Sequence, residues 1–155
     1  MANQKFFEDF EIGQAFKIPS KTIHDGHFVF FSGLTGDAHP IHYDDEYCKR
    51  HMFGRRVAHG LLLAAMTALG GSSLSNYVED SMEAFLSQSS RFIKPVFLGD
   101  TIYPELEVSE LIAKKNNGVV KFRAVIRNQK GEVVLEGEHV YLVKKKPTSQ
   151  TPTPS

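Results

Sequence analysis

The strongest constraint on the fold of this chain is the stretch HGLLLAAMTAL at residues 59–69. Nearly every position in it is apolar, and most of its residues are strong helix formers without a branch at Cβ. A helix that is apolar on all sides has to be buried. We therefore predict a buried central helix over His59–Leu69, ended by Gly70 and Gly71.

The apolar period changes to two in the second half of the chain. One segment alternates at Ile102, Leu106 and Val108, and another alternates from Val120 to Ile126. This pattern is typical of half-buried strands. The segment RNQKGEVV, with Gly131 in its loop, predicts a hairpin to VVLEGEHVYLV, and a further strand is expected over 84–93. Four or five such strands can bury one helix by curving around it, so we predict an α+β fold with a curved antiparallel sheet wrapped around a central helix.

The length and composition favour one domain. A chain of 155 residues with 41% hydrophobic content can bury a single ordinary core. We assign residues 1–143 to this domain. The last segment, KKKPTSQTPTPS over residues 144–155, has no large apolar side chain and is predicted to be a disordered tail.

Charge and cysteine content narrow the class of partner and compartment. Eighteen basic and eighteen acidic side chains cancel, which argues against nucleic acid or a membrane surface as a partner. A lone Cys48 and an acidic first segment, MANQKFFEDFEIG, indicate a cytoplasmic protein without internal disulfides. No apolar run reaches the roughly 20 residues that a bilayer span needs.

Polar chemistry is concentrated in GLTGDAHPIHYDDE, residues 33–46. A turn favours Gly, Pro and Asp for backbone reasons, but it does not need the two imidazoles of His39 and His42. The segment follows a short predicted helix that Asp25 caps and that presents Phe28 and Phe31 on one face. One helical turn, capped by Asp44 or Asp45, is expected after it.

Four segments of the chain, in order, resemble the MaoC-like (R)-specific enoyl-CoA hydratases of the hotdog-fold superfamily. They are FFEDFEIGQ, SGLTGDAHPIHYD, RRVAHGLLLAAM and RFIKPVFLGDTI. The family pattern around the catalytic loop is Gly-Asp-x-Asn-Pro-aliphatic-His. This chain keeps every element except one, because His39 stands where Asn is usual. The resemblance covers nearly the whole chain except the tail and implies a hotdog fold.

Hydration of an enoyl thioester needs a base for the water, an acid for C2 and donors for the thioester oxygen. Asp37 and His42 can meet at one water on a tight loop stiffened by Pro40. The backbone N–H of Gly60, at the start of the predicted helix, can serve the thioester oxygen. The resemblance implies the same three catalytic roles. It leaves open which member of the pair protonates C2.

Substrate contacts are less sharply indicated. His39 and Pro40 flank the pair, and His59 either packs at the helix start or frames the thioester. The phosphates of CoA would need local positive charge, and the candidates are Arg55, Arg56, Arg91 and Lys94. Acyl carrier protein could replace CoA as the carrier, and acyl length is left open. No cofactor is expected, and no metal, since Pro40 and the lack of a helical frame disfavour zinc at His39 and His42.

Two other functions use the same features. A hotdog-fold thioesterase would polarise the same carbonyl but direct water to the carbonyl carbon, and a non-catalytic module would bind acyl-CoA without turnover. We also expect a homodimer that pairs apolar edge strands into one continuous sheet, with larger assemblies left open.

Overall fold

Six antiparallel strands form a single sheet in the computed structural model, which describes residues 3–147. The order across the sheet is β1, β4, β5, β6, β3, and β2 also pairs with β4. The strands are β1 (Ala15–Lys17), β2 (Lys21–Thr22), β3 (Met82–Phe92), β4 (Thr101–Ala113), β5 (Asn117–Asn128) and β6 (Val133–Lys144). The helices are α1 (Asp25–Thr35), α2 (Asp45–Lys49) and α3 (Gly60–Ala65).

The long strands follow the period of two that the sequence predicts. Ile102, Leu106 and Val108 of β4 are fully buried, as are Phe122 and Ile126 of β5, while their neighbours face outward. These alternate side chains cover one face of the sheet and create the surface on which the helices pack. The α+β prediction with a curved antiparallel sheet is confirmed.

The hairpin between β5 and β6 is also as predicted. Gly131 has a φ of 77°, a left-handed conformation that glycine adopts without strain. Asn128 supports the turn, since its Oδ1 accepts from the backbone N–H groups of Lys130 and Glu132. At the other side of the sheet, Pro19 separates β1 from β2, and the chain pairs with β4 on both sides of this break.

The first helix, α1, buries Phe28 and Phe31 on one face, as predicted. The predicted cap was wrong by one residue, because His24 is the N-cap and Asp25 is the first helical residue. The Asp25 side chain instead forms an ion pair with Arg56, which also binds Asp45. For α2, the prediction holds: the Asp44 side chain accepts from the backbone N–H of Tyr47.

The central helix is shorter and less enclosed than predicted. It spans only Gly60–Ala65, and 3-10 turns at Leu69–Gly71 and Ser73–Tyr77 follow it. Leu62 and Leu63 are buried, but Leu61 is 69% exposed. The helix ends early because Thr67 donates from Oγ1 to the carbonyl of Ala64 and also contacts His139 of β6, which replaces the next helical turn.

The core consists of two clusters along the concave face. One holds the N-terminal segment against the middle of the sheet, through Phe10, Leu74 and Phe122. The other holds α1 and α3 against the opposite end, through Phe28, Leu62 and other apolar groups. The catalytic loop predicted from the sequence lies on this second cluster, so its position is fixed by two helices and the sheet.

Beyond residue 143, the structure describes four more residues. Lys144 closes β6, and Lys146 contacts Asp9 and donates from its backbone N–H to Glu8. Residues 148–155, most of the predicted tail, lie outside the described residues. Within residues 3–147, no helix is both long enough and apolar enough to cross a membrane.

Candidate active site

The loop that carries Asp37 begins where α1 ends. Gly36 caps the helix with a φ of 77°, and its N–H bonds back to the carbonyl of Ser32. The chain then reverses, and Asp37 stands exposed at the turn. One of its carboxylate oxygens, Oδ1, accepts from the backbone N–H of His39 at 3.3 Å. The bond tethers the carboxylate through Oδ1.

The side chain of His39 forms a hydrogen bond with the backbone of its own turn. Its Nδ1 accepts from the N–H of Ile41 at 3.2 Å and caps the 3-10 turn Pro40–His42. An Asn side-chain oxygen at the same position could accept the same bond, because both residue types present an acceptor at short reach. This explains how His39 can replace the Asn of the family pattern while the loop keeps its shape.

The ring of His42 is oriented by a backbone carbonyl of a distant segment. Its Nδ1 lies 2.6 Å from the carbonyl oxygen of Val57, in a buried position. A carbonyl oxygen can only accept, so Nδ1 carries the hydrogen. In the neutral ring, Nε2 is therefore unprotonated and available as a base or an acceptor.

A second imidazole lies against His42. The rings of His42 and His59 are stacked with centroids 3.7 Å apart and planes inclined by 22°. His59 is only 2% exposed, and its Nε2 lies 3.0 Å from the Tyr43 hydroxyl and 3.3 Å from the carbonyl oxygen of Asp37. Burial lowers the pKa of His59, and the neighbouring His42 lowers it further.

Asp37, His42 and His59 bring one nitrogen or carboxylate oxygen each to within 4.8 Å of one another. The structure thus brings together the two residues that the sequence predicts as an acid/base pair. The hydrogen bonds of the trio disfavour a metal ion, because Nε2 of His59 is already engaged by the Tyr43 hydroxyl and the carbonyl oxygen of Asp37.

Gly60 starts α3 beside a groove of about 440 Å³. The groove is lined mostly by apolar groups from two segments, Phe53–Leu63 and Phe92–Val96. Within the described residues, the backbone N–H of Gly60 has no protein acceptor. A Cβ at this position would lie 3.0 Å from Cζ of Phe92, a tight contact that the ring could relieve only by moving a few tenths of an ångström. Because α3 has six residues rather than the predicted eleven, the N–H group itself, more than a helix dipole, is what this position offers a ligand.

The four predicted cationic contacts differ in their surroundings. Arg56 is largely buried in ion pairs with Asp25 at 2.5 Å and Asp45 at 2.8 Å, so it joins α1 to α2. Arg55 lies over the ring of Phe97 at 3.9 Å. The other two are at the surface: Arg91 is 3.4 Å from Glu136, and Lys94 pairs with Glu132 at 2.6 Å.

Of these four residues, Lys94 lines the Gly60 groove. His59, which the sequence predicts to contact substrate or pack at the helix start, lies behind His42 and presents little surface. Pro40 is half-buried at the start of the 3-10 turn.

Sequence reasoning missed Tyr43 and Val57. The hydroxyl of Tyr43 contacts His59 and the carbonyl oxygens of Phe28 and Asp37, so one side chain joins α1, the Asp37 loop and α3. Its place directly after His42 in the loop is the only signal in the sequence. Val57 acts through its carbonyl, which no side-chain pattern could reveal.

Comparisons with known proteins agree with this fold. A family model described as "MaoC like domain" matches residues 8–129. The chain is 33% identical to a 3-hydroxybutyryl-CoA dehydratase of Methylorubrum extorquens over 91% of this chain and 85% of that one. It is 32% identical to an (R)-specific enoyl-CoA hydratase of Rhodospirillum rubrum, over 89% of this chain and 91% of the relative.

Solved structures show the same architecture. A monoamine oxidase regulatory protein from Archaeoglobus fulgidus superimposes with a TM-score of 0.87 at 36% identity, covering 94% of this chain and 97% of that one. A Mycobacterium tuberculosis protein described as a double hotdog fold superimposes with a TM-score of 0.80 at 23% identity, covering 97% of this chain and 47% of that one. Fold and relatives together define a hotdog-fold enzyme of the hydratase and dehydratase class. The chain belongs to the MaoC-like family.

Proposed function

We propose that this enzyme catalyses the (R)-specific hydration of trans-2-enoyl-CoA thioesters and the reverse dehydration of 3-hydroxyacyl-CoA thioesters. The observation that carries the proposal is the convergence of Asp37 and His42, whose polar atoms approach within 4.8 Å on a loop beside the Gly60 groove. Two groups of this kind around one water supply both proton transfers that the reaction needs.

The proton balance assigns complementary states to the pair. One member, unprotonated, takes a proton from the water as its oxygen bonds to C3 and the double bond opens toward C2. The other member, protonated, delivers its proton to C2. His42 suits either role, because Nδ1 is occupied by the Val57 carbonyl and only Nε2 faces the reaction. For Asp37, Oδ1 accepts a backbone bond, which leaves the second carboxylate oxygen for the water.

Negative charge develops on the thioester oxygen during the addition of water. The N–H of Gly60 is the donor that we assign to this oxygen, since the groove beside it gives a carbonyl room to approach. Removal of one such donor in other enzymes typically slows turnover by about 10²- to 10³-fold. The N–H therefore acts on the transition state more than on substrate binding.

The groove determines how the thioester enters. Its apolar walls, including Phe92 and Ile93, suit an acyl or pantetheine chain, and Lys94 at its edge offers a cation for a phosphate. The relatives named above are described as acting on CoA thioesters, one of them a 3-hydroxybutyryl-CoA. We therefore place CoA first as the carrier and a four-carbon acyl group first as the test substrate.

The same proposal includes a homodimer. Within residues 3–147, β3 pairs with β6 on one side only, and its 11 residues leave the other edge free. Phe85, Leu86 and Phe92 on this strand are each at least half exposed. A long apolar edge is a pairing template, so a second copy joined along β3 would extend the sheet and cover these side chains.

Incubation with trans-2-butenoyl-CoA tests the reaction. We expect loss of the conjugated enoyl absorbance and formation of 3-hydroxybutanoyl-CoA with the (R) configuration, resolved by chiral chromatography. A thiol reagent with butanoyl-CoA distinguishes a thioesterase, which would release free CoA from the saturated thioester. Stable absorbance, with binding of the enoyl-CoA intact, would identify a non-catalytic module.

A further inference from the structure

His59 contacts both members of the acid/base pair. Its ring is stacked on His42 at 3.7 Å, and its Nε2 lies 3.3 Å from the carbonyl oxygen of Asp37. Within the part of the chain that the structure describes, neither Asp37 nor His42 contacts both of the other two residues of the trio in this way. A shift of the His59 ring would change the separation between Asp37 and His42, so the orientation of this ring matters for the pair.

The orientation is controlled by the hydroxyl of Tyr43. This group has one hydrogen and three polar neighbours: the carbonyl oxygens of Phe28 and Asp37, at 2.9 and 3.1 Å, and His59 Nε2 at 3.0 Å. Both carbonyls can only accept, so the hydroxyl hydrogen goes to one of them and the hydroxyl oxygen accepts from Nε2–H of His59. The hydrogen of the neutral ring is therefore on Nε2.

The state of Nδ1 agrees with this assignment. In the described part of the chain, Nδ1 of His59 is buried and has no hydrogen-bond partner. The opposite tautomer would bury an N–H without an acceptor and turn the Nε2 lone pair toward the Asp37 carbonyl oxygen, which costs more. Burial lowers the pKa of His59, which favours the neutral ring.

We propose that His59, held by Tyr43, is a positioning residue: its neutral ring supports one face of His42 and tethers the Asp37 backbone, and so sets the distance between the acid and the base. The inference rests on the proposed hydratase function. It assigns His59 no contact with the reacting atoms, in contrast to the role of framing the thioester considered from the sequence.

Two substitutions separate the two contacts of the ring. His59→Phe keeps an aromatic face for His42 but removes the N–H that binds Asp37 and Tyr43. His59→Gln keeps an N–H donor but loses the stacking. We expect His59→Phe to lower kcat by about tenfold or more with KM within about threefold of the parent, and His59→Gln to recover part of that loss.

Tyr43→Phe is the matched variant, since it removes one hydroxyl and leaves the packing of the ring. It should lower kcat in the same direction by a smaller factor, and it tests the network if the His59 variants fail to fold. Melting temperatures of all three variants are measured alongside, because a loss of kcat that merely follows loss of folded protein would overturn the proposal.

The separation of kcat from KM gives a readout that simple packing would not move. A positioning residue acts on the arrangement of the reacting groups, so His59→Phe and Tyr43→Phe should lower kcat while KM stays within about threefold of the parent. A kcat within about threefold of the parent, or a KM that changes as much as kcat does, would overturn the positioning role.

The failure of the proposed function gives a different result. If Asp37→Asn and His42→Gln keep the parent rate, the acid/base assignment is wrong and the inference falls with it. If those two variants lose their rate while His59→Phe keeps its own, the hydratase proposal stands and only the positioning role is wrong.

Discussion

The Nδ1 of His42 donates to the carbonyl oxygen of Val57 at 2.6 Å, and this bond sets the orientation of the imidazole ring. Residues 42 and 57 are fifteen positions apart, so the loop and the segment before α3 have to fold together before the ring is oriented. The pair with Asp37 is thus a product of tertiary structure, although both residues belong to one short motif.

Replacing Asp37 or His42, the proposed proton-transfer groups, should slow hydration without unfolding the protein. Asp37→Asn and His42→Gln keep the approximate size of each side chain, so we expect rates lower by on the order of 10² to 10⁴ with binding of butanoyl-CoA retained. The double variant should be scarcely slower than the slower single variant, because the two groups act on one water. Additive losses would indicate that the residues act in separate steps.

Replacing His39 by Asn should be nearly neutral. The Asn oxygen can accept the Ile41 N–H that His39 Nδ1 accepts now, so the turn before His42 keeps its cap. We expect activity within roughly tenfold of the parent, which is about 1.4 kcal/mol in the barrier. His39→Leu, which cannot accept, is the contrasting variant and should lower the melting temperature. A His39→Asn protein without turnover would mean that this imidazole takes part in the chemistry.

The elements that were predicted well depend on local pattern. Alternation at Ile102, Leu106 and Phe122 reports which side of a strand is buried, and this property is present in a few consecutive residues. The predicted length of α3 was wrong because the end of this helix depends on a long-range contact. Its end is decided by the contact between Thr67 and His139, which are 72 positions apart, and no apolar period contains that information.

In the candidate site too, features that depend on a local motif were predictable and features that depend on long-range contacts were not. Asp37 and His42 could be predicted because the loop motif places them together, and their roles remain predictions. Arg56 was one of four candidates for a phosphate contact, and the structure pairs it with Asp25 and Asp45, which come from two other elements. Ion pairs of this kind depend on which surfaces meet, and a list of basic residues does not distinguish them from free charges.

Acidification should destabilise the fold through two buried imidazoles. Burial lowers the pKa of both His59 and His139 from an ordinary value of 6.5. The unfolded state then binds more protons than the folded state, so the stability is complete above about pH 6.5 and is lost as the pH falls toward the folded pKa. Urea unfolding at pH 7.5 and pH 5.5 measures the loss.

His139→Gln should make that pH dependence shallower, since Gln can still donate to Thr67 but does not titrate in this range. An equally steep loss in His139→Gln would place the titrating group elsewhere.

Charge on the edge of β3 should separate the proposed dimer. Leu86 is half exposed on this strand, and a glutamate there would place a charge on the edge and oppose pairing. We expect the parent to be a dimer by light scattering at micromolar concentration and Leu86→Glu to dissociate at least tenfold more readily. Ile12→Glu, a similar change at a 69% exposed position away from the strands, should remain dimeric. A monomeric parent would contradict the proposal.

The role of the Gly60 N–H can be tested by removing the hydrogen itself. Gly60 is the first residue of α3, a position where proline is well tolerated, and His59 before it has an extended ψ of 131° that suits a residue preceding proline. Gly60→Pro therefore deletes the donor while the helix keeps its start.

Gly60→Ala is the matched control, because its Cβ meets the same Phe92 ring but its N–H remains. We expect the proline variant to turn over at least about 10²-fold more slowly than the alanine variant, with affinity for butanoyl-CoA within about fivefold of that control. Equal rates in the two variants would show that the thioester oxygen takes its hydrogen bond from another group.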